Sequence, residues 1–114
     1  MTRIKAPFKY YEGSKVKDRH IRLTKDMLMS PAYISLSYSA KVIYSYMKMW
    51  ACGEVEFEYS WRLASKYVGS SRTYSSSKNE LIEKGFIECI RTSKCSRYPN
   101  KYKFINRWHY WPNK

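Results

Sequence analysis

The feature that most constrains this chain is Ser60 to Phe104, and within it the sixteen-residue run Ser70 to Gly85, SSRTYSSSKNELIEKG. A serine, threonine, aspartate or asparagine ahead of a periodic segment and a glycine just behind it are the two ends of a helix. At about 100° per residue, Tyr74, Ser77, Lys78 and Leu81 fall on one side, with Ile82 at its margin. Arg72, Ser75, Ser76 and Asn79 fall on the other. A helix that only shields a core more often shows Glu and Lys outward. Short polar side chains suit a helix that must approach another surface closely.

The neighbours of this helix are equally defined. Ser60 is placed to cap a short helix, Trp61 to Tyr67, with Leu63, Ala64 and Tyr67 on its packing side, and Val68-Gly69 turns the chain into Ser70. Helix, tight turn and helix make a helix-turn-helix. Behind Gly85, Phe86 to Arg91 and Lys101 to Ile105 read as two strands joined by a polar, basic loop. A hairpin in that place is a wing.

Upstream, Ile21-Arg22-Leu23 reads as extended. Thr24 caps a brief helix with Met27 and Leu28, and Ser30-Pro31 starts another turn through Ala32, Tyr33 and Leu36. Ser37 caps the longest helix, Tyr38 to about Cys52, ended by Gly53. Val42, Ile43, Tyr46, Met47 and Trp50 form its core stripe, with Lys41 and Lys48 on the wet side. Glu54 to Tyr59 alternates strictly, predicting a half-buried strand. Val55, Phe57 and Tyr59 point inward and three glutamates line the face that should turn away from a polyanion. Residues 1–20 form a basic arm, either packing Phe8 or Tyr10 on the domain or tracking a groove of a nucleic acid. Residues 21–108 form one domain and 109–114 a tail. The tail region's Trp108, Tyr110 and Trp111 either pack back on the domain or offer a dimer contact.

Charge narrows the partner. There are 22 basic and 9 acidic residues in 114, a net charge of +13, which favours polyanions. Residues 89–114 hold seven bases and no acid. That segment reads as a phosphate-facing surface, with a solvated tail as the bland alternative. The three cysteines, Cys52, Cys89 and Cys95, and two histidines, His20 and His109, fit neither a zinc site nor a disulfide framework. With four glycines in all, there is no phosphate-cradling loop, and no nucleophile motif accompanies them. Neither an enzyme nor a cofactor is expected. No apolar run is long enough to span a membrane, and the N-terminus lacks the apolar segment of a secretory signal. This predicts a cytosolic protein with no evident small-molecule ligand.

Two blocks carry a resemblance. Ser70-Ser71-Arg72-Thr73-Tyr74 and Glu80-Leu81-Ile82-Glu83-Lys84-Gly85-Phe86-Ile87-Glu88 are similar to winged helix-turn-helix proteins of Gram-positive bacteria and their mobile elements. Ser30 to Tyr33, Leu36 to Ala40, Pro99 to Tyr102 and Arg107-Trp108 extend the likeness over about residues 21–108. It implies an α+β domain: a three-helix core, a short strand and a C-terminal two-stranded wing. It also implies DNA binding in a bacterial cytosol, as repressor, replication initiator or partition protein. Gly69 and Lys78 depart from the pattern, each standing where an aliphatic residue is usual.

The expected function is sequence-specific binding of double-stranded DNA. Arg72 and Asn79, both forked, would read guanine and adenine, with Ser71, Ser75 and Ser76 as weaker readers. Ser70, Thr73, Arg91, Lys94, Arg97 and Lys101 would contact the backbone. Two readers specify weakly, so a two-fold dimer on an inverted repeat would double the readout. The rivals are a protein-binding adaptor on the same scaffold and, given the abundant Tyr and Trp, single-stranded DNA or RNA binding.

Overall fold

The computed structural model describes residues 21–92 and 99–112. In these, local capping chemistry starts most of the helices. Thr24 accepts from the Met27 amide at 3.3 Å and opens α1, Lys25–Leu28. Ser30 accepts from the Tyr33 amide at 3.2 Å and opens α2, Pro31–Ile34, with the proline at a first-turn position where no amide hydrogen is needed. Ser37 accepts from the Ala40 amide at 3.2 Å and opens α3, Tyr38–Ala51. After β1, Glu56–Glu58, comes the single-turn α4, Trp61–Ala64, then α5, Ser71–Glu83. Strands β2, Ile87–Arg91, and β3, Lys101–Phe104, and a 3-10 turn at Arg107–Tyr110 complete the α+β domain.

The sheet is antiparallel in the order β1-β3-β2. The short strand expected ahead of the hairpin is thus its third member, pairing Glu56 with Lys103 and Glu58 with Lys101. One face of the sheet, with Phe57, Tyr102, Phe104 and Ile87, turns to the helices. Phe86 is fully buried at the centre of an aromatic cluster. Tyr33 and Tyr44 meet it edge-on at 6.1 and 5.5 Å, and Trp108 stacks on it at 6.1 Å.

Two predictions about the inward faces are corrected. In α3 the buried line is Ala40, Ile43, Tyr44, Met47 and Ala51, while Val42 and Trp50 are 45 % and 50 % exposed. The two alanines let the helix come close to its neighbours, so the stripe is rotated from the one drawn through the larger side chains. Lys41 and Lys48 lie over aromatic rings, at 5.4 Å from Tyr33 and 5.0 Å from Phe104, rather than standing free in water. Val55, expected inward, is 55 % exposed; it precedes β1 and serves the sheet through its carbonyl, which accepts from the Phe104 amide at 3.0 Å. Of the C-terminal aromatics, Trp108 is buried and Trp111 packs against the core, as the first of the two readings has it, while Tyr110 is widely exposed.

The end of α5 decides how the C-terminal half sits. Gly85 follows the cap with φ of 87°, and the Gly85 and Phe86 amides donate back to Ile82 and Leu81 at 3.2 and 3.0 Å. This left-handed stop satisfies carbonyls the helix would otherwise leave open. A Cβ at Gly85 would lie 2.7 Å from Arg107 Cβ and 2.8 Å from the Trp108 nitrogen. Gly85 is therefore needed for both its φ and its bare surface.

A second fastening joins α5 to α3. The Glu80 carboxylate accepts from the Ser37 amide at 2.8 Å and the Ser37 hydroxyl at 2.9 Å, with Lys84 Nζ at 3.4 Å. Lys84 in turn donates to the Ser35 hydroxyl at 2.8 Å and the Ser35 carbonyl at 3.0 Å. A carboxylate at the N-terminus of α3 is also favoured by the helix dipole.

Two outcomes follow from these fastenings. Gly85→Ala should cost about 2 kcal/mol or more in urea unfolding, because it combines backbone strain with a clash against another backbone. A loss under about 0.5 kcal/mol would show that the 3-10 turn yields freely. For Glu80, burial pushes its pKa up, but the two Ser37 donors and Lys84 outweigh it and hold the carboxyl below its ordinary value. Its contribution is then complete above the unfolded pKa of about 4.3 and disappears as pH falls through the lower folded value. Glu80→Gln should cost about 1 kcal/mol at pH 7 and remove that part of the acid sensitivity, which unfolding at neutral and acid pH measures.

Candidate nucleic-acid interface

The helix singled out by sequence is held rigidly from behind. Tyr74, Ser77 and Leu81 of α5 are buried. The Tyr102 hydroxyl of β3, which accepts from the Asn100 side-chain amide at 3.0 Å, lies beside that of Tyr74. Burial first, and then the neighbouring Tyr102 hydroxyl, push the Tyr74 phenol well above its ordinary range. Lys78, standing where an aliphatic residue is usual, is half-buried, with its ammonium 6.0 Å from the Tyr74 ring centre.

On the outward side, Ser71, Arg72, Ser75, Ser76 and Asn79 are all exposed. None of their side chains makes a hydrogen bond or ion pair among the described residues. From Arg72 to Asn79 the stripe rises about 10.5 Å at 1.5 Å per residue, comparable with the width of a DNA major groove, about 12 Å. Glu80 would intrude on this face if it were extended, but its bonds to Ser37 hold it against α3. Glu83 ends the stripe with an exposed carboxylate, one turn beyond Asn79.

The residues assigned to phosphates divide. Ser70 and Thr73 are spent on the helix start: the Ser70 hydroxyl accepts from the Thr73 amide at 3.1 Å and donates to Thr73 Oγ1 at 2.9 Å. Their first task is capping. Arg91 lies on the outer face of the sheet, bonding Glu58 Oε2 at 2.8 Å and the Pro99 carbonyl at 2.7 Å. Lys101 pairs with Glu56 at 3.4 Å. Lys94 and Arg97, like Cys95 and the arm at 1–20, lie outside the described residues.

The glutamates of β1 do not stand apart from the basic hairpin. Antiparallel pairing through β3 places both on one surface. Glu56, Glu58 and Glu88 alternate there with Arg91, Lys101 and Lys103. Sequence counts see an acid-free segment after Glu88; the register brings acids back beside it. Arg72 on the outward face of α5 has no ion-pair partner among the described residues, whereas Arg91 and Lys101 of the hairpin do.

Other chemistry is thin. Cys52 and Cys89 are free thiols, and no group of three potential metal ligands occurs among the described residues. No helix of the described chain is long and apolar enough to cross a membrane. Comparison with protein-family models, curated proteins and solved structures returns no match for this chain.

The Arg91–Glu58 pair is about two-fifths exposed, so solvent screens it. A double-mutant cycle on Arg91→Met and Glu58→Gln should give a coupling of about 0.5–1 kcal/mol in urea unfolding. A coupling indistinguishable from zero would show that Glu58 does not hold Arg91 in place.

Proposed function

We propose that this protein is a non-enzymatic, sequence-specific binder of double-stranded DNA, built as a winged helix-turn-helix domain. The observation that carries this reading is the outward stripe of α5. Arg72, Ser75, Ser76 and Asn79 stand exposed, and without a partner among the described residues, on a helix that is capped, packed from behind and cleared of Glu80. A helix displaying short side chains around two forked ones suits close entry into a groove. The guanidinium of Arg72 matches the O6 and N7 acceptors of guanine, and the amide of Asn79 matches adenine.

The net charge of +13 supports the choice of a polyanion. It supplies sequence-independent attraction, strongest at low salt. In this reading α4 and α5 form the helix-turn-helix and β2 and β3 the wing. Backbone contacts rest on Lys94 and Arg97, with Ser70 and Thr73 helping through the exposed start of α5. Arg91 and Lys101 contribute after exchanging their glutamate partners for phosphate. The biological setting, a regulator, replication or partition factor of a mobile element in a bacterial cytosol, rests on the likeness of the Ser70–Tyr74 and Glu80–Glu88 blocks alone. A two-fold dimer would double a readout that is narrow in one copy.

One observation favours the second reading, a protein-binding adaptor. Val42, Met49, Trp50 and Tyr67 are each nearly half exposed and lie along α3 and the turn after α4. Tryptophan and tyrosine in such a patch are the residue types that dominate protein interfaces. Selection of bound duplexes from a random pool separates the two. Enrichment of a motif is expected, and Arg72→Ala should cost about 1–3 kcal/mol on that motif but little on unrelated DNA. Equal weakening on all sequences would remove Arg72 from base reading, and no enrichment at low salt would favour the adaptor.

A further inference from the structure

The longest helix, α3, is apolar almost all the way round. Its 14 residues include Lys41 and Lys48 but no acid, whereas a helix with one face in water usually carries charge on that face. The side opposite the buried line of Ala40, Tyr44, Met47 and Ala51 holds Tyr38, Val42, Ser45 and Met49. At about 100° per residue these four fall within about 60° of one another. Tyr38 is 84 % exposed, and Val42 and Met49 are nearly half exposed. The Ser45 hydroxyl donates to the Lys41 carbonyl at 3.1 Å, so it is satisfied within its own helix. Over the roughly 16 Å from Tyr38 to Met49, at 1.5 Å per residue, this stripe presents no charged side chain.

The flanks decide what suits it. Lys41 and Lys48 stand on one flank, but their ammoniums lie back on their own chain. Lys41 is 5.4 Å from the Tyr33 and Tyr38 ring centres, and Lys48 is 5.0 and 5.8 Å from those of Phe104 and Tyr44. On the other flank stand Trp50, half exposed, and Tyr46, stacked on Tyr67 at 4.1 Å. An acidic partner finds little charge to meet along this stripe. A second neutral stripe of equal length complements it, and another copy of the chain supplies one. Set antiparallel about a two-fold axis between Ser45 and Tyr46, each Val42 meets Met49 of the second copy. The small Ser45 then lies at the crossing, where the helices come closest, and the two Trp50 flanks fall on the same side. Covering Tyr38, Val42, Met49 and Trp50 removes on the order of 500 Å² per copy. The total of about 1,000 Å² is the lower limit of a specific interface, which fits a weak dimer.

We propose that the outward stripe of α3 is the contact between two copies of this chain, which form a weak two-fold dimer without any nucleic acid. Because α3 packs on α5 through its buried side, the outward faces of α5 stay uncovered in both copies. The dimer does not rest on the DNA reading. If that reading also holds, the stripe is where its two-fold pairing occurs, in place of the C-terminal aromatics.

Sedimentation equilibrium of the full chain, reduced and without DNA, tests this. A monomer–dimer equilibrium with a Kd of about 10–100 µM is expected. The two copies share a sign of charge and bring their lysine flanks to the same side. Raising salt from about 0.1 to 0.5 M should therefore tighten the dimer about threefold by screening that repulsion, the reverse of what polyanion binding shows. Val42→Lys and Met49→Lys, both at exposed positions, should each weaken it at least about tenfold, since α3 has no acid to pair the added charge. Tyr110→Ser, at the exposed C-terminal aromatic, should change it less than about twofold. In a chain whose three cysteines are replaced by serine, Ser45→Cys should oxidise to a disulfide-linked dimer. Ser39→Cys, held about 20 Å from its counterpart by the antiparallel order, should not. Absence of a dimer up to about 1 mM would overturn the assignment and leave the stripe to a different protein. Loss of the dimer in Tyr110→Ser but not in the stripe variants, or linkage in Ser39→Cys instead of Ser45→Cys, would overturn it as well.

Discussion

The structure depends on how α5 is anchored at its C-terminal end. Glu80 and Lys84 reach back to Ser37 and Ser35, joining α5 to the start of α3, while Gly85 lets the backbone of Arg107 and Trp108 lie directly against the helix stop. One turn and a glycine thus orient three things: the long helix, the sheet that begins at Ile87, and the turn that carries Trp108. The outward stripe from Arg72 to Asn79 points where it does because the opposite side of the same helix has no freedom. Five serines between Ser70 and Ser77 lower its intrinsic helix propensity, so this tertiary anchoring, with Tyr74 and Leu81 behind it, holds the helix.

The sheet shows why total charge and local charge are different quantities. A C-terminal segment without acids would be a plain anion-attracting surface if it stood alone. Pairing with β1 sets Glu56 and Glu58 beside Lys101 and Arg91, so the described part of the hairpin is close to charge-balanced. Such pairs contribute little to stability in water. Their larger effect is to organise the cations until a stronger anion competes for them. In the DNA-binding reading this leaves the reading helix and the basic loop beyond Thr92 as the carriers of attraction.

The same rotation that buried Ala40, Tyr44 and Ala51 in α3 created two surfaces of different character. Toward β3 and the 3-10 turn it left a shallow depression edged by Arg22 and Lys48, with Lys48 covering Tyr44. On the other side it exposed Val42, Met49 and Trp50. Neither surface follows from the size of the side chains, because small residues set how closely helices approach and thereby which large ones are covered.

The sequence by itself determined the local features whose causes are local. The caps at Thr24, Ser30, Ser37 and Ser70, the proline-led turn, the stop at Gly85, the buried line Tyr74, Ser77, Leu81 and the outward line Arg72, Ser75, Ser76, Asn79 all follow from chemistry within a few residues, whereas Ser60 makes no side-chain cap bond and its helix ends at Ala64. Periodicity alone placed them. Tertiary structure decided the rest: the rotation of α3, the solvent position of Val55, the return of glutamates to the basic hairpin, the withdrawal of Glu80 and the seating of Trp108 and Trp111. These depend on partners as far as 49 residues apart, as in Lys84 with Ser35. Strand register and helix approach are set by the packing of the whole core, and no window of neighbouring residues contains that information.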